Sequence, residues 1–218
     1  MKTMQKGFTL VEIAIVLVII GLLLGGILKG QEMITQAKIK NAVSDFSGIS
    51  AAYYGYQDRY RALPGDDPNA ATRWSGAISG GGNGVVAGAY NADCTGTLTA
   101  AMESCLWWDD LRRAGFVAGA GGRQPFNAFG GMVGVQTGSN GGTPPTALGG
   151  FGGLIICSAN IPDKVAIAID TQMDDGKIAT GTVRGQLQTT PNPAINTAAD
   201  STEYAETGSN TYTVCRSL

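Results

Sequence analysis

"KGFTLVEIAIVLVIIGLLLGGILKG", residues 6–30, is the stretch whose reading decides the fold. From Phe8 to Leu28 it holds twenty-one residues, and Glu12 is the only charged one. As a helix with a rise of ~1.5 Å per residue it spans roughly 31 Å, about one bilayer hydrocarbon core. A carboxylate in such a segment is expensive unless something neutralises it, so Glu12 demands an explanation. Lys2 and Lys6 lie on the short leading side, which predicts a cytoplasmic amino terminus. The run is too long for a secretory signal core of about 7–15 residues. Gly25-Gly26 followed by Ile27-Leu28 is also a poor cleavage site.

Beyond this run, 218 residues with 44% apolar content leave enough chain for one globular domain. Fifteen basic against seventeen acidic residues, with no basic cluster interleaved with aromatics, argue against nucleic acid as a partner. The chain has no histidine, which excludes Ser-His-Asp and Cys-His catalysis and every histidine-containing zinc site. The four cysteines, Cys94, Cys105, Cys157 and Cys215, form no C-x-x-C pair. Their even number beyond a membrane segment suggests disulfides in an oxidising compartment. Three pairings are possible. The favoured one joins Cys94 to Cys105 across a short loop and Cys157 to Cys215 between two predicted strands, with buried free thiols as the alternative.

After Lys29 the apolar residues Ile39, Val43, Phe46, Ile49, Tyr53, Tyr56, Tyr60 and Leu63 recur at steps of three and four. That is one amphipathic stripe, ended by Pro64-Gly65. A single helix from Phe8 to about Arg61 is expected, roughly 80 Å long; the alternative is two helices broken near Gly25-Gly26 or Gly30. Asp67 before Pro68 reads as the N-cap of a short helix. "ESCLWWDDLRRAGFV", residues 103–117, reads as a second helix with Leu106, Trp107, Leu111 and Ala114 on one face and Gly115 at its end. One of Trp107 and Trp108 is expected in the core and the other at the surface. Residues 117–150, rich in Gly, Pro, Thr and Asn, read as a surface loop without a core of its own. Strands are expected at 153–159, 164–170, 177–184 and 211–216, with Val165, Ile167 and Ile169 alternating. The fold class is α+β: a long amino-terminal helix, a glycine-rich variable loop region and an antiparallel carboxy-terminal sheet.

Lys6-Gly7-Phe8-Thr9-Leu10-Val11-Glu12 resembles the class III signal of type IV pilins and of type II secretion pseudopilins. The likeness is close from Gly7 to about Leu28, moderate to Pro64-Gly65, and architectural beyond. It implies a leader of residues 1–7, cut after Gly7 by a prepilin peptidase that methylates the new amino-terminal Phe8. It implies a transmembrane and assembly helix at 8–28, the amphipathic half of that helix at 29–63, and a head at 64–218. Within the head, 64–150 would be the variable region and 151–218 the sheet with a disulfide-tied end. Glu12 carries over as the filament-assembly residue, its carboxylate pairing with the Phe8 amine of a neighbouring subunit in low dielectric. The partners implied are further copies of the chain or other pilins, the peptidase, an inner-membrane assembly platform, and membrane lipid before assembly. The resemblance implies a single-pass inner-membrane precursor that becomes a periplasmic or extracellular filament, the kind used in adhesion and motility.

Asp170, Asp174 and Asp175 precede Gly176 in "IDTQMDDGK" and offer oxygen ligands for calcium. Their spacing is not that of an EF-hand, and a hairpin with Asp-Gly turn chemistry is the competing reading. No other cofactor is expected. Asp66-Asp67 beside a turn and Asp109-Asp110 on an exposed helix face do not suggest acid–base catalysis, which needs convergent carboxylates. The glycine clusters lack the P-loop Lys-Ser/Thr. An enzyme is therefore the weakest reading. A structural filament subunit is the strongest, of a pilus or a secretion pseudopilus, and a membrane-anchored binding domain using the 117–150 loop is its rival.

Processing is directly measurable. The intact mass of the mature chain should match residues 8–218 plus one methyl group, less two hydrogens per disulfide. Gly7→Val should leave the leader in place, because the peptidase would meet a branched side chain at the scissile glycine. A mature chain beginning at Met1 or beyond Leu28 would contradict both expectations.

Overall fold

The computed structural model describes residues 9–138, 147–200 and 203–218. The chain divides into a first unit that ends at Lys38 and a second, Ile39–Leu218. Helix α1, Leu10–Tyr60, supplies residues to both. In the first unit every large apolar side chain from Leu10 to Ile34 is exposed.

In the second unit the stripe on α1 becomes a core. Ile39, Ala42, Phe46, Ile49, Ala52, Tyr53 and Tyr56 are buried, and Val43 and Tyr60 are partly so. The helix stops three residues before Pro64-Gly65, with Arg61 in the left-handed conformation at φ 55°. Helix α2, Ala70–Arg73, starts at Asn69 with no side-chain cap. Asp67 instead accepts the Asn69 N–H at 2.8 Å, so the expected cap organises the turn before the helix. Helix α3, Glu103–Arg113, lies within the predicted second helix.

The sheet has four strands: β1 (Val133–Thr137), β2 (Leu154–Pro162), β3 (Val183–Leu187) and β4 (Thr211–Ser217), in the order β1-β2-β4-β3 and antiparallel throughout. One face, including Val135, Ile156, Val183 and Val214, shares a core with α1 and α3. The other face buries Ile155, Cys157 and Cys215 against Tyr90, Leu148 and Phe151. With both faces covered, β2 reads as a near-continuous apolar run rather than an alternating one.

Two expected strands are corrected. Residues 164–170 are helical, in α4 (Asp163–Met173), where Val165, Ala166, Ile169 and Asp170 are buried at helical spacing. Residues 177–182 are irregular, and the strand after them starts at Val183. The segment assigned wholly to a surface loop contains β1, and residues 139–146 of it lie outside the described residues. The sheet therefore begins inside the 64–150 region, not at 151. Trp107 and Trp108 are both fully buried, at edge-to-face centroid distance 5.0 Å, so neither is a surface neighbour.

The structure joins Cys94 to Cys105 and Cys157 to Cys215. Cys157 and Cys215 are register partners on β2 and β4, 58 residues apart in sequence. Closing a loop of that length contributes roughly 4 kcal/mol on chain-entropy grounds. Cys215→Ser, with Cys157→Ser to avoid a stray thiol, should lower the unfolding free energy of the detergent-solubilised chain by about that amount. Urea titration followed by tryptophan fluorescence measures it, and an unchanged midpoint would contradict the expectation.

Candidate functional site

The amino-terminal end of α1 explains the isolated carboxylate in local terms. The first turn of any helix leaves backbone N–H groups without partners. Here Glu12 Oε2 accepts both the backbone N–H and the hydroxyl of Thr9, each at 2.8 Å, and the Glu12 N–H reaches Thr9 Oγ1 at 3.3 Å. This is the reciprocal exchange of a capping box, written in the sequence as Thr9-x-x-Glu12. The acid also sits at the positive end of the helix dipole. A bare transmembrane helix has little use for Glu12; a helix that must start cleanly inside an apolar run has one. Gly7 and Phe8 lie outside the described residues.

Among the described residues α1 is the one helix long and apolar enough to cross a membrane, and its most apolar stretch is not covered by the rest of the chain. This exposed surface must be buried by lipid or by protein.

The three aspartates at the end of α4 do come together, with carboxylate oxygens within 4.8 Å of one another. Each already has donors of its own. Asp170 accepts the Gly176 N–H at 2.9 Å and the Tyr204 hydroxyl at 2.8 Å. Asp175 accepts the Lys177 N–H and the Thr180 hydroxyl. Asp174 accepts the N–H groups of Thr182 and Val183. The cluster follows a helix rather than joining two strands, so the hairpin reading is corrected as well.

Asp174 also helps close the edge of the sheet. Along β3 the N–H of Val183 goes to Asp174, that of Gly185 to the Ile178 carbonyl, and that of Leu187 to Asp200. At the opposite edge the Val133 N–H goes to the Pro125 carbonyl, and segment 86–90 is held by β1 side chains, the Val86 N–H on Thr137 Oγ1 and the Tyr90 N–H on Gln136 Oε1. The β3 edge, its outer N–H groups taken up in this way, does not offer a strand for pairing with another chain.

The paired acids are buried, contrary to the exposed helix face expected for Asp109-Asp110. They hold backbone. Asp66 accepts the N–H groups of Asn83 and Gly84, and Glu103 accepts those of Gly81 and Ala87, fastening the glycine-rich loop. Asp67 accepts the Tyr56 hydroxyl at 2.7 Å and pairs with Arg73. Asp110 accepts the Gly65 N–H at 2.7 Å. Gly65 has φ +80°, and a Cβ there would run into the Glu103 carbonyl, so only glycine brings this N–H to Asp110. Sequence adjacency could not reveal the backbone partners, because they lie 16 to 45 residues away.

With this geometry in hand, the comparisons with known proteins are specific. Residues 2–28 match the prokaryotic N-terminal methylation motif. The chain is 30% identical over 115 residues to the type IV major pilin protein PilE of Neisseria gonorrhoeae, covering 49% of this chain and 69% of that protein. It is 33% identical over 81 residues to a fimbrial protein of Neisseria meningitidis serogroup B, covering 37% of this chain and 48% of that one. No solved structure matches it significantly. A long, capped apolar helix followed by a helix-backed antiparallel sheet defines an α+β, pilin-like class of protein. The chain belongs to the type IV pilin family.

Burial pushes the Asp110 carboxyl up to about 7, assisted by Asp109 and opposed by the Gly65 N–H, Arg73 and Arg113. A carboxyl that holds its proton more tightly in the folded state stabilises that state while protonated. The contribution is complete below the unfolded value of about 4 and is lost as the pH rises through about 7. Asp170, pushed up to about 6 by its burial, acts in the same direction. Asp110→Asn keeps an acceptor for Gly65 without the charge. It should raise stability at pH 8 by about 2–4 kcal/mol and flatten the decline between pH 5 and 8. Urea unfolding at the two pH values measures this, and a variant that loses stability at pH 8 would contradict it.

Proposed function

We propose that this chain is a structural subunit of a type IV pilus-like filament, polymerising through α1 after cleavage at Gly7–Phe8 and methylation of Phe8. The observation that carries the reading is the uncovered apolar surface of Leu10–Ile34, which starts at the Thr9–Glu12 capping box and belongs to a chain whose β3 edge is occupied. Lipid covers that surface in the precursor, and neighbouring copies cover it in the filament. The two relatives, a major pilin and a fimbrial protein, favour a pilus over a secretion pseudopilus.

In this reading Glu12 has two successive roles. In the membrane-held precursor it caps its own helix through Thr9. On assembly its charge attracts the freed amine of Phe8 on a neighbouring subunit, where the low dielectric strengthens the pair and penalises its absence. The machine that extracts the subunit supplies the work; the chain supplies register.

Two substitutions separate these roles. Glu12→Gln preserves a capping side chain but removes the charge, and Glu12→Leu removes both. Both variants should be inserted and cut after Gly7, and both should lower filament yield by at least about tenfold, with mature subunit accumulating in the inner membrane. Electron microscopy of sheared material and immunoblots of membrane fractions measure the two quantities. Normal filaments from Glu12→Gln would show that capping, not charge, is the function of Glu12.

A further inference from the structure

The head carries an apolar groove of about 410 Å³ beside the part of α1 that includes Gly48 and Ile49, walled by Trp108, Phe116, Phe126 and Val133. Three features of it are not accounted for by contacts within the chain. Gly48 sits in mid-helix, where glycine weakens a helix relative to alanine, yet a Cβ there would meet nothing within 4 Å. The contrast is Gly55 on the same helix, where a Cβ would strike the Phe116 ring at 2.8 Å. Phe126 is 53% exposed. The buried indole N–H of Trp108 finds no acceptor among the described residues.

A helix glycine with open space above it, in an apolar groove, suits the close approach of another helix. The chain itself contains an uncovered apolar helix. Every large apolar side chain of its segment Leu17–Ile34 is exposed, and the segment carries Gly21, Gly25, Gly26 and the half-buried Gly30, whose added Cβ atoms would likewise meet nothing within 4 Å. Charge agrees with this choice. Asp45 is the one charged side chain among the described residues lining the groove, and partial burial raises its pKa. Lys29 is the one cation from Leu10 to Ile34, and its ion pair with Glu32 is largely solvent-exposed and therefore easily exchanged. We propose that the groove is a docking site for the Leu17–Ile34 segment of a second copy of this chain, with Gly48 opposing the Gly26–Gly30 pair of that segment and Asp45 near its Lys29.

This site deepens the filament reading and rests on it. The experiment uses the full chain in cells, with a benzophenone amino acid replacing Phe126, and Gly48→Leu as a separate variant. Irradiated, sheared filaments should yield a dimer whose cross-linked peptide maps to residues 17–34 of the second copy. Gly48→Leu should be processed and should form both disulfides, with filament yield reduced at least about tenfold by the side chain filling the groove. Normal filaments from Gly48→Leu, cross-links confined to residues 39–218, or filaments without any cross-link would overturn the docking site and leave the filament reading standing. No filaments from the wild-type chain would remove both.

Discussion

The rest of the structure answers to one constraint: about two dozen residues of apolar helix that their own chain does not cover. In water such a surface would drive aggregation, so the molecule needs an environment that buries it at each stage. Length and composition suit lipid as the first such environment, and membership of the type IV pilin family fits the filament proposed as the second. The Thr9–Glu12 capping box makes the helix start compatible with either. It satisfies backbone donors locally and leaves a charge at the place where a neighbour's amine is proposed to arrive.

The head meets a complementary requirement, which is to remain folded and non-sticky while the helix changes surroundings. Its core is a sheet covered on both faces, stapled between β2 and β4 by Cys157–Cys215. Its loops are fastened by buried carboxylates that accept backbone N–H groups: Asp66 and Glu103 on the glycine-rich loop, Asp110 on Gly65. Asp174, Ile178 and Asp200 occupy the outer N–H groups of β3. Strand pairing at that edge is suppressed, and the proposed association runs through helical and apolar surfaces, namely α1 and the groove at Gly48.

The sequence made the long helix, its apolar first part and the stripe from Ile39 to Tyr56 legible, because those patterns are local and repeat over many turns. The capping box was equally local and could have been read from Thr9-x-x-Glu12. The errors lay where tertiary partners decide. Val165, Ile167 and Ile169 alternate like a strand, yet Val165, Ala166, Ile169 and Asp170 also lie together on one side of a helix, and packing chose the helix. Strand β1 was hidden because two of its buried residues, Gln136 and Thr137, are polar and accept hydrogen bonds from the distant segment 86–90. Asp109-Asp110 looked exposed because the Gly65 N–H that stabilises Asp110 is 45 residues away.

Immunogold electron microscopy of sheared cell-surface material, with antibody against the head, tests the central claim most directly. Gold along the full length of thin filaments, with residues 17–34 protected from proteolysis in them, is the result this account predicts. Label that stays with the inner membrane, on cells whose sheared fraction contains filaments free of this chain, would contradict it.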